Sequence, residues 1–167
     1  MNVVISVLLL ASSLAGLAAI PPAPKVKAGD LQPVEGAQWA GTLTYLDYGR
    51  NKKVSIPSNL VVTRSAADRR SWVFEYKYPD EPKADGKKTV TVGKDGRTVN
   101  GATVVERTAF VDKTLKLVTE EAGTDNDKAA LLRLTYLLGA KSFSIKKEVK
   151  YEGAGEFILR NEYSWKR

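Results

Sequence analysis

Residues 71–78 read Ser71-Trp72-Val73-Phe74-Glu75-Tyr76-Lys77-Tyr78, so that from Trp72 onward every second side chain is aromatic. Successive side chains of a β-strand point to opposite faces, and the alternation therefore predicts a strand with one apolar and one polar face. An antiparallel strand of this kind buries its apolar face only when its sheet closes on itself or stacks on another sheet. The stretch therefore indicates a β-barrel or a β-sandwich.

Stretches with the same period lie on both sides of this strand and are separated by turn residues. The predicted strands cover 38–47, 53–56 with 60–63, 71–78, 89–92, 98–111, 115–121, 129–138, 142–151 and 157–165. Pro57 is expected to bend the second strand or to mark a sheet edge, because proline donates no hydrogen bond to a ladder. Asp95-Gly96 predicts a tight hairpin turn.

Residues 129–138 are open to two interpretations. Their Ala-Ala-Leu-Leu start favours a helix by intrinsic propensity, whereas Thr135, Tyr136 and the surrounding meander favour a strand, which we prefer. The count is then about nine strands. The predicted fold class is all-β, a single antiparallel up-and-down barrel of about eight to ten strands.

The first 35 residues differ in composition from the rest. Residues 1–19 form a short apolar run followed by small residues, which predicts a secretory signal peptide and export to the periplasm or the cell exterior. A buried N-terminal strand or a retained anchor helix is the alternative. Residues 20–35 contain four of the seven prolines and predict an extended linker, so the barrel domain is expected over 36–167.

The chain contains no cysteine and no histidine. This composition excludes disulfides, thiolate nucleophiles, Ser-His-Asp triads and metal sites built on thiolate or imidazole, and no cofactor is expected. The net charge of +7 is spread over basic pairs near predicted turns. Such pairs are typical of solvated loops, and a diffuse positive field would also favour an anionic envelope surface. Nucleic acid is not an expected partner, since no compact basic motif is present. The pairs are Lys52-Lys53, Arg69-Arg70, Lys87-Lys88 and Lys146-Lys147.

The first predicted strand carries a tryptophan between two glycines, in Gly36-Ala37-Gln38-Trp39-Ala40-Gly41-Thr42-Leu43. This opening resembles that of lipocalin-like (calycin) barrels, with one residue more between the first glycine and the tryptophan. The resemblance implies a barrel that binds a small ligand. It also implies that an arginine of the last strand, matched here by Arg160, lies over Trp39 as a structural pair that closes one end.

If the barrel is hollow, its ligand contacts inward-facing aromatic and basic side chains. Strand parity places Arg107, Lys147 and Glu121 on the same side as the apolar residues, and a carboxylate or phosphate headgroup is the natural partner of an inward cation. The competing interpretation is a solid core in which the aromatic rings pack on one another. The predicted ligand-binding residues are Trp72, Phe74, Tyr76, Arg107, Tyr136, Phe143, Lys147 and Tyr163.

The sequence therefore predicts an exported, monomeric barrel that binds a small amphiphile such as a lipid or a fatty acid. One alternative is a non-enzymatic envelope module with a solid core, and another is a hydrolase that uses carboxylates as acid and base. A membrane-spanning barrel is not expected, because Arg107 and Lys147 would interrupt its lipid-facing surface. The carboxylates available to a hydrolase are Glu106, Glu120, Glu121, Glu148 and Glu162.

Overall fold

Ten β-strands form one antiparallel sheet in the computed structural model, which describes residues 23–27, 29–47 and 49–167. Two single turns of 3₁₀ helix, Gln32–Val34 and Pro82–Ala84, accompany the strands. The strands are β1 (Gln38–Asp47), β2 (Lys52–Arg64), β3 (Ser71–Lys77), β4 (Gly86–Thr91), β5 (Thr98–Val99), β6 (Ala102–Ala109), β7 (Leu115–Asp125), β8 (Lys128–Leu138), β9 (Ser142–Tyr151) and β10 (Ile158–Lys166).

The strand order makes the sheet a nearly closed up-and-down barrel. It runs β4-β3-β2-β1-β10-β9-β8-β7-β6-β5, so that consecutive strands pair and the last strand returns to the first. The two outer strands meet through a bridge between Val92 and Val99, and the Asn100 amide donates to the Thr91 carbonyl at 2.8 Å. The predicted fold class is confirmed at this level, and the architecture is compatible with a calycin-like barrel.

The two uncertain strand assignments have clear outcomes. Residues 128–138 form β8, which pairs along its length with β7 and β9, so that the strand prediction is confirmed. Strand β2 runs without interruption through Pro57. This proline faces Thr42 of β1, whereas pairing with β3 begins only at Asn59, so its missing N–H lies where β2 has a single neighbour.

Turn geometry divides one predicted strand into two. Asn100 and Gly101 both have positive φ, at 52° and 88°, and they form a hairpin turn that separates β5 from β6 within the stretch predicted as 98–111. The predicted Asp95-Gly96 turn is present between β4 and β5, where Gly96 has φ of 75°. The Gly96 amide donates to the Gly93 carbonyl.

The two ends of the barrel differ in how they are filled. The leader end, where β1 begins and β10 ends, contains the fully buried rings of Trp39, Trp72, Phe74, Phe143 and Trp165. Phe143 contacts two of the other rings edge to face, with 6.0 Å to Trp39 and 5.9 Å to Phe74 between centroids. At the opposite end, which we call the mouth, the described residues form no such group of buried aromatic rings.

The N-terminal segment that covers the leader end was expected to be a loose linker, and that expectation is wrong for its described residues. Val26, Leu31 and Val34 are buried in the core. The Trp39 indole donates to the Val34 carbonyl at 3.0 Å, and the Val26 amide donates to the Gly96 carbonyl at 2.8 Å. Apolar side chains spaced between the prolines seal a barrel end that β-strands alone would leave open.

The signal peptide predicted over residues 1–19 lies outside the described residues. Across the described ranges, no helix has the length and apolar character needed to cross a membrane.

Candidate functional site

The mouth half of the barrel contains a cup of about 350 Å³. Its wall combines four aliphatic side chains with three tyrosines, two lysines, one glutamate and one asparagine. Alternate residues of six strands supply this lining, because in-register pairing places the inward side chains side by side. The lining residues are Tyr76, Lys88, Val90, Glu121, Leu132, Leu134, Tyr136, Ile145, Lys147, Asn161 and Tyr163.

The floor of the cup is a stack of aromatic rings. Tyr163 lies parallel to Trp165, with 5.0 Å between ring centroids and 13° between planes, and Trp165 lies 5.1 Å from Phe143. Of the predicted ligand-binding residues, Tyr76, Tyr136, Lys147 and Tyr163 line the cup. Trp72, Phe74 and Phe143 lie in the packed core below it, so the barrel is part solid and part hollow.

The three tyrosines give the wall neutral hydroxyl groups. Burial raises the pKa of Tyr136 to about 12 and also raises the pKa of Tyr76, since a buried phenolate loses its hydration. Tyr163 shares a hydrogen bond of 2.7 Å with the Tyr78 hydroxyl, and burial is the first cause that raises its pKa. These hydroxyls therefore stay protonated near neutral pH and can orient a polar ligand atom.

Two lysines reach the cup from opposite walls. Lys147 pairs with Leu134 and Asn161 in the sheet, and its ammonium lies 3.6 Å from an oxygen of Asp125. Lys88 lies opposite Phe74 and therefore on the inner face. Among the described residues, Lys88 has no ion-pair partner within 4.0 Å, which leaves its charge available to a ligand.

Lys88 was missed because the Lys87-Lys88 pair was interpreted as a solvated turn. Lys88 belongs to strand β4 and not to a turn, although its side chain is exposed. Lys87 points outward, where it contacts Glu75 at 3.0 Å. The available signal was parity: Val90 is buried, and residue 88 shares its face once β4 begins at Gly86. Predicting the strand only from residue 89 hid this relationship.

A second recess of about 280 Å³ adjoins the cup at the mouth and contains an ion cluster. One oxygen of Asp125 forms an ion pair with the Arg160 guanidinium at 2.7 Å and accepts a hydrogen bond from the Tyr151 hydroxyl at 2.8 Å. Burial lowers the pKa of the Arg160 guanidinium. Lys147 and Asn161 line both the recess and the cup, so this cluster holds one wall of the cup in place.

The implied pairing of Arg160 with Trp39 does not occur, since Arg160 belongs to the mouth and Trp39 to the leader end. Arg167 takes that position, with its guanidinium 4.9 Å from the Trp39 ring centroid. A terminal guanidinium nitrogen of Arg167 also donates a hydrogen bond to the Pro33 carbonyl oxygen at 3.2 Å. The arginine that covers the tryptophan thus follows β10, whereas Arg160 lies at the bulge between Leu159 and Asn161.

Arg107 points inward because a β-bulge between Val104 and Glu106 shifts the strand by one residue. Val105, which parity had placed on the same side, is 43% exposed. The partner of Arg107 belongs to the chain itself. Its guanidinium binds both carboxylate oxygens of Asp30, at 2.7 and 2.6 Å, and this hydrogen bonding raises the pKa of Arg107. The pair lies at the leader end. Arg107 is therefore not among the side chains that line the cup.

The cup also has a side opening between two strand edges. Residues 86–90 of β4 pair only with β3, and residues 121–125 of β7 pair only with β8, because β6 meets β7 no farther than Glu120. Lys88 and Glu121 stand on these two edges and both line the cup. A ligand could enter through this slot without disrupting a ladder.

Only one carboxylate, Glu121, lines the cup within the described part of the chain. Three of the other four candidate glutamates form ion pairs elsewhere: Glu106 contacts Lys116 at 2.9 Å, and Glu120 contacts Arg133 at 2.6 Å. Glu148 contacts Lys146 at 3.0 Å. A pair of carboxylates suited to hydrolysis is not assembled in the cup.

Comparison with known proteins adds no relative. No family model matches the sequence, and no curated protein matches it. The calycin resemblance therefore depends on strand order and on the Trp39 region alone, and the arguments about function depend on the cup.

Proposed function

We propose that this protein binds a small amphiphile with an acidic end in the cup at the mouth of its barrel. The observation that carries the proposal is the cup itself, a space of about 350 Å³. Its lining combines aliphatic side chains with Lys88, which has no ion-pair partner among the described residues. Ligand pockets in proteins occupy about 300 to 1,000 Å³ and combine apolar walls with a few placed polar groups. The small volume favours a single short chain or ring system.

The charge distribution supports the acidic end. Lys88 is the cation in the cup that lacks a carboxylate partner among the described residues, whereas Lys147 is held beside Asp125. A carboxylate or phosphate at Lys88 would make a charge-assisted hydrogen bond, and the Tyr76 and Tyr163 hydroxyls offer further contacts. Leu132, Leu134 and Ile145 would then cover the apolar part of the ligand.

The same reasoning favours ligand binding over the two alternatives. The first alternative, an envelope module with a solid core, does not explain why the barrel contains a cup. The second alternative, a hydrolase that uses carboxylates, needs two acidic groups, whereas one carboxylate lines the cup among the described residues. The apolar run over residues 1–19 supports export, and we propose that the protein acts in the periplasm or outside the cell.

Titration with decanoate and with decanol tests the proposal. Trp165 stacks on Tyr163, which lines the cup, so tryptophan fluorescence should report occupancy alongside calorimetry. We expect saturable one-to-one binding, with decanoate bound more tightly than decanol.

A pair of adjacent leucines provides the control. Leu132 lines the cup, whereas Leu131 points outward beside Lys150. Leu132→Trp should fill the cup and abolish binding, and Leu131→Trp should leave it unchanged. Binding that survives Leu132→Trp, or folded protein that takes up neither probe, would contradict the proposal.

A further inference from the structure

The two ends of the barrel carry opposite charge. The segments at the leader end, residues 23–27, 29–37, 65–70, 92–97, 110–114, 139–141 and 167, hold nine basic and five acidic side chains, a net charge of +4. The connections at the mouth, residues 49–51, 78–85, 126–127 and 152–157, hold two basic and six acidic side chains, a net charge of −4. The barrel therefore presents a basic end to any anionic surface.

A tight turn at the leader end presents two apolar side chains to solvent. Phe110 is 47% exposed and Val111 is fully exposed. The turn is held by its own bonds: the Phe110 amide donates to the Thr114 carbonyl at 2.8 Å, and the Lys113 amide donates to the Phe110 carbonyl at 3.0 Å. Asp112 accepts from the Thr114 amide at 2.9 Å.

These apolar residues are not needed by the turn. Turns are usually built from glycine, asparagine, aspartate, serine or proline, whose backbone or side-chain chemistry suits the bend. Here Lys113 takes the left-handed conformation, with φ of 66°, and Asp112 supplies the side-chain acceptor. Phe110 and Val111 are therefore free to contact something outside the barrel.

We propose that the leader end docks on an anionic phospholipid bilayer, with Phe110 and Val111 entering the interface and the surrounding cations contacting the headgroups. Apolar tips flanked by lysine are suited to this environment, because apolar burial and attraction to anionic lipid act together. Lys113 lies in the turn itself, and Lys141 lies in the neighbouring β8–β9 connection. Two apolar side chains form a smaller contact than a stable protein interface requires, which favours a bilayer over a protein partner.

This orientation has a consequence for the cup. The mouth lies at the opposite end of the barrel, so a docked molecule would hold the cup toward the aqueous phase. A ligand would then be exchanged with water or with another carrier and not drawn directly from the bilayer beneath.

Vesicle flotation with the full chain tests the proposal. Vesicles of phosphatidylcholine alone are compared with vesicles containing 30% phosphatidylglycerol, at low and at high salt. We expect binding to the anionic vesicles only, about fivefold weaker for each of Lys113→Gln and Lys141→Gln.

The double variant Phe110→Ser/Val111→Ser should bind at least about tenfold more weakly than the original chain. Ile158→Ser is the matched control, since Ile158 is 43% exposed but lies near the mouth, and it should bind unchanged.

A second measurement separates the turn from any contribution of residues 1–22. Trp39, Trp72 and Trp165 are buried, so a tryptophan introduced by Phe110→Trp is the one placed to meet lipid directly. Brominated acyl chains should quench its fluorescence when anionic vesicles are added. Absence of quenching would overturn the proposal. So would binding that depends on Lys113 and Lys141 but not on Phe110 and Val111, because that result would indicate attraction to headgroup charge without insertion of the apolar side chains.

Discussion

Asp30 and Arg107 join the N-terminal segment to strand β6 through two parallel hydrogen bonds, Nε to Oδ2 at 2.7 Å and a terminal nitrogen to Oδ1 at 2.6 Å. The side chains are 8% and 20% exposed, so little water competes for either charge. The paired geometry suits arginine and carboxylate, because the guanidinium offers a planar fork of donors. This ion pair fixes the segment that seals one end of the barrel.

Asp30→Asn should therefore destabilise the protein. The amide cannot compensate the Arg107 charge, and we expect the free energy of unfolding to fall by about 2 to 3 kcal/mol. Urea denaturation followed by tryptophan fluorescence measures this loss. Asp80→Asn, at an exposed position in the β3–β4 connection, is the control and should have almost no effect. Equal losses for both variants would show that the pair does not hold the segment.

Lys88→Met should change which ligand the cup prefers. Removing the unpaired cation takes away the partner of an acidic end, so the affinity for decanoate should fall about tenfold or more while that for decanol stays constant. Calorimetric titration of both probes measures the difference. Lys87→Met is the matched control, because Lys87 points outward on the same strand. If decanoate binding is lost with Lys147→Met and kept with Lys88→Met, the acidic end of the ligand binds at Lys147, and the assignment to Lys88 is wrong.

Tyr136 should make the fold sensitive to alkaline pH. The folded state keeps the Tyr136 proton up to a pKa of about 12, whereas the unfolded chain releases it near 10. Unfolding therefore releases a proton between these values, and stability falls as pH rises, by about 1.4 kcal/mol for each pH unit.

Tyr136→Phe removes this proton and should flatten the pH dependence by that amount. Urea denaturation at pH 9, 10 and 11 measures the slope. Tyr45→Phe controls for the loss of a hydroxyl elsewhere in the barrel. The explanation fails if Tyr136→Phe and the original chain lose stability in parallel.

Gly41→Ala should prevent the normal pairing of β1 with β10. A Cβ atom at residue 41 would lie 2.7 Å from Cα of Trp165 and would overlap the Ser164 carbonyl oxygen, and neither backbone atom can rotate away. We expect a loss of about 3 kcal/mol or more, or failure to fold. Gly155→Ala is the control, since its added methyl group would meet no atom within 4 Å. Thermal unfolding of both variants measures the effect, and similar melting temperatures would disprove the close approach.

Much of the barrel could be predicted from local pattern. The alternation over 71–78 predicted β3 and its buried face, and Asp95-Gly96 predicted the turn between β4 and β5. The inward direction of Lys147 also followed from parity, whereas that of Arg107 depends on the β-bulge between Val104 and Glu106. These features depend on the period of a strand and on the backbone preferences of turn residues, both of which act over a few positions.

The composition of the site was harder to predict. Tyr76, Tyr136 and Tyr163 were expected near a ligand and do line the cup, whereas Phe74 and Phe143, on the same faces, lie in the solid core. Parity says which face a side chain occupies. It does not predict where along the barrel axis the packed core ends and the cup begins.

The sequence by itself determined the strands, their turns and the side each residue faces, because those properties are set by neighbours along the chain. Only the tertiary structure decided that Val26, Leu31 and Val34 seal one end and that Arg167 covers Trp39. It also decided that Lys88 lines a cup whose walls come from six strands. The physical reason is register: closing a barrel staggers its strands, and the stagger brings together residues far apart in sequence.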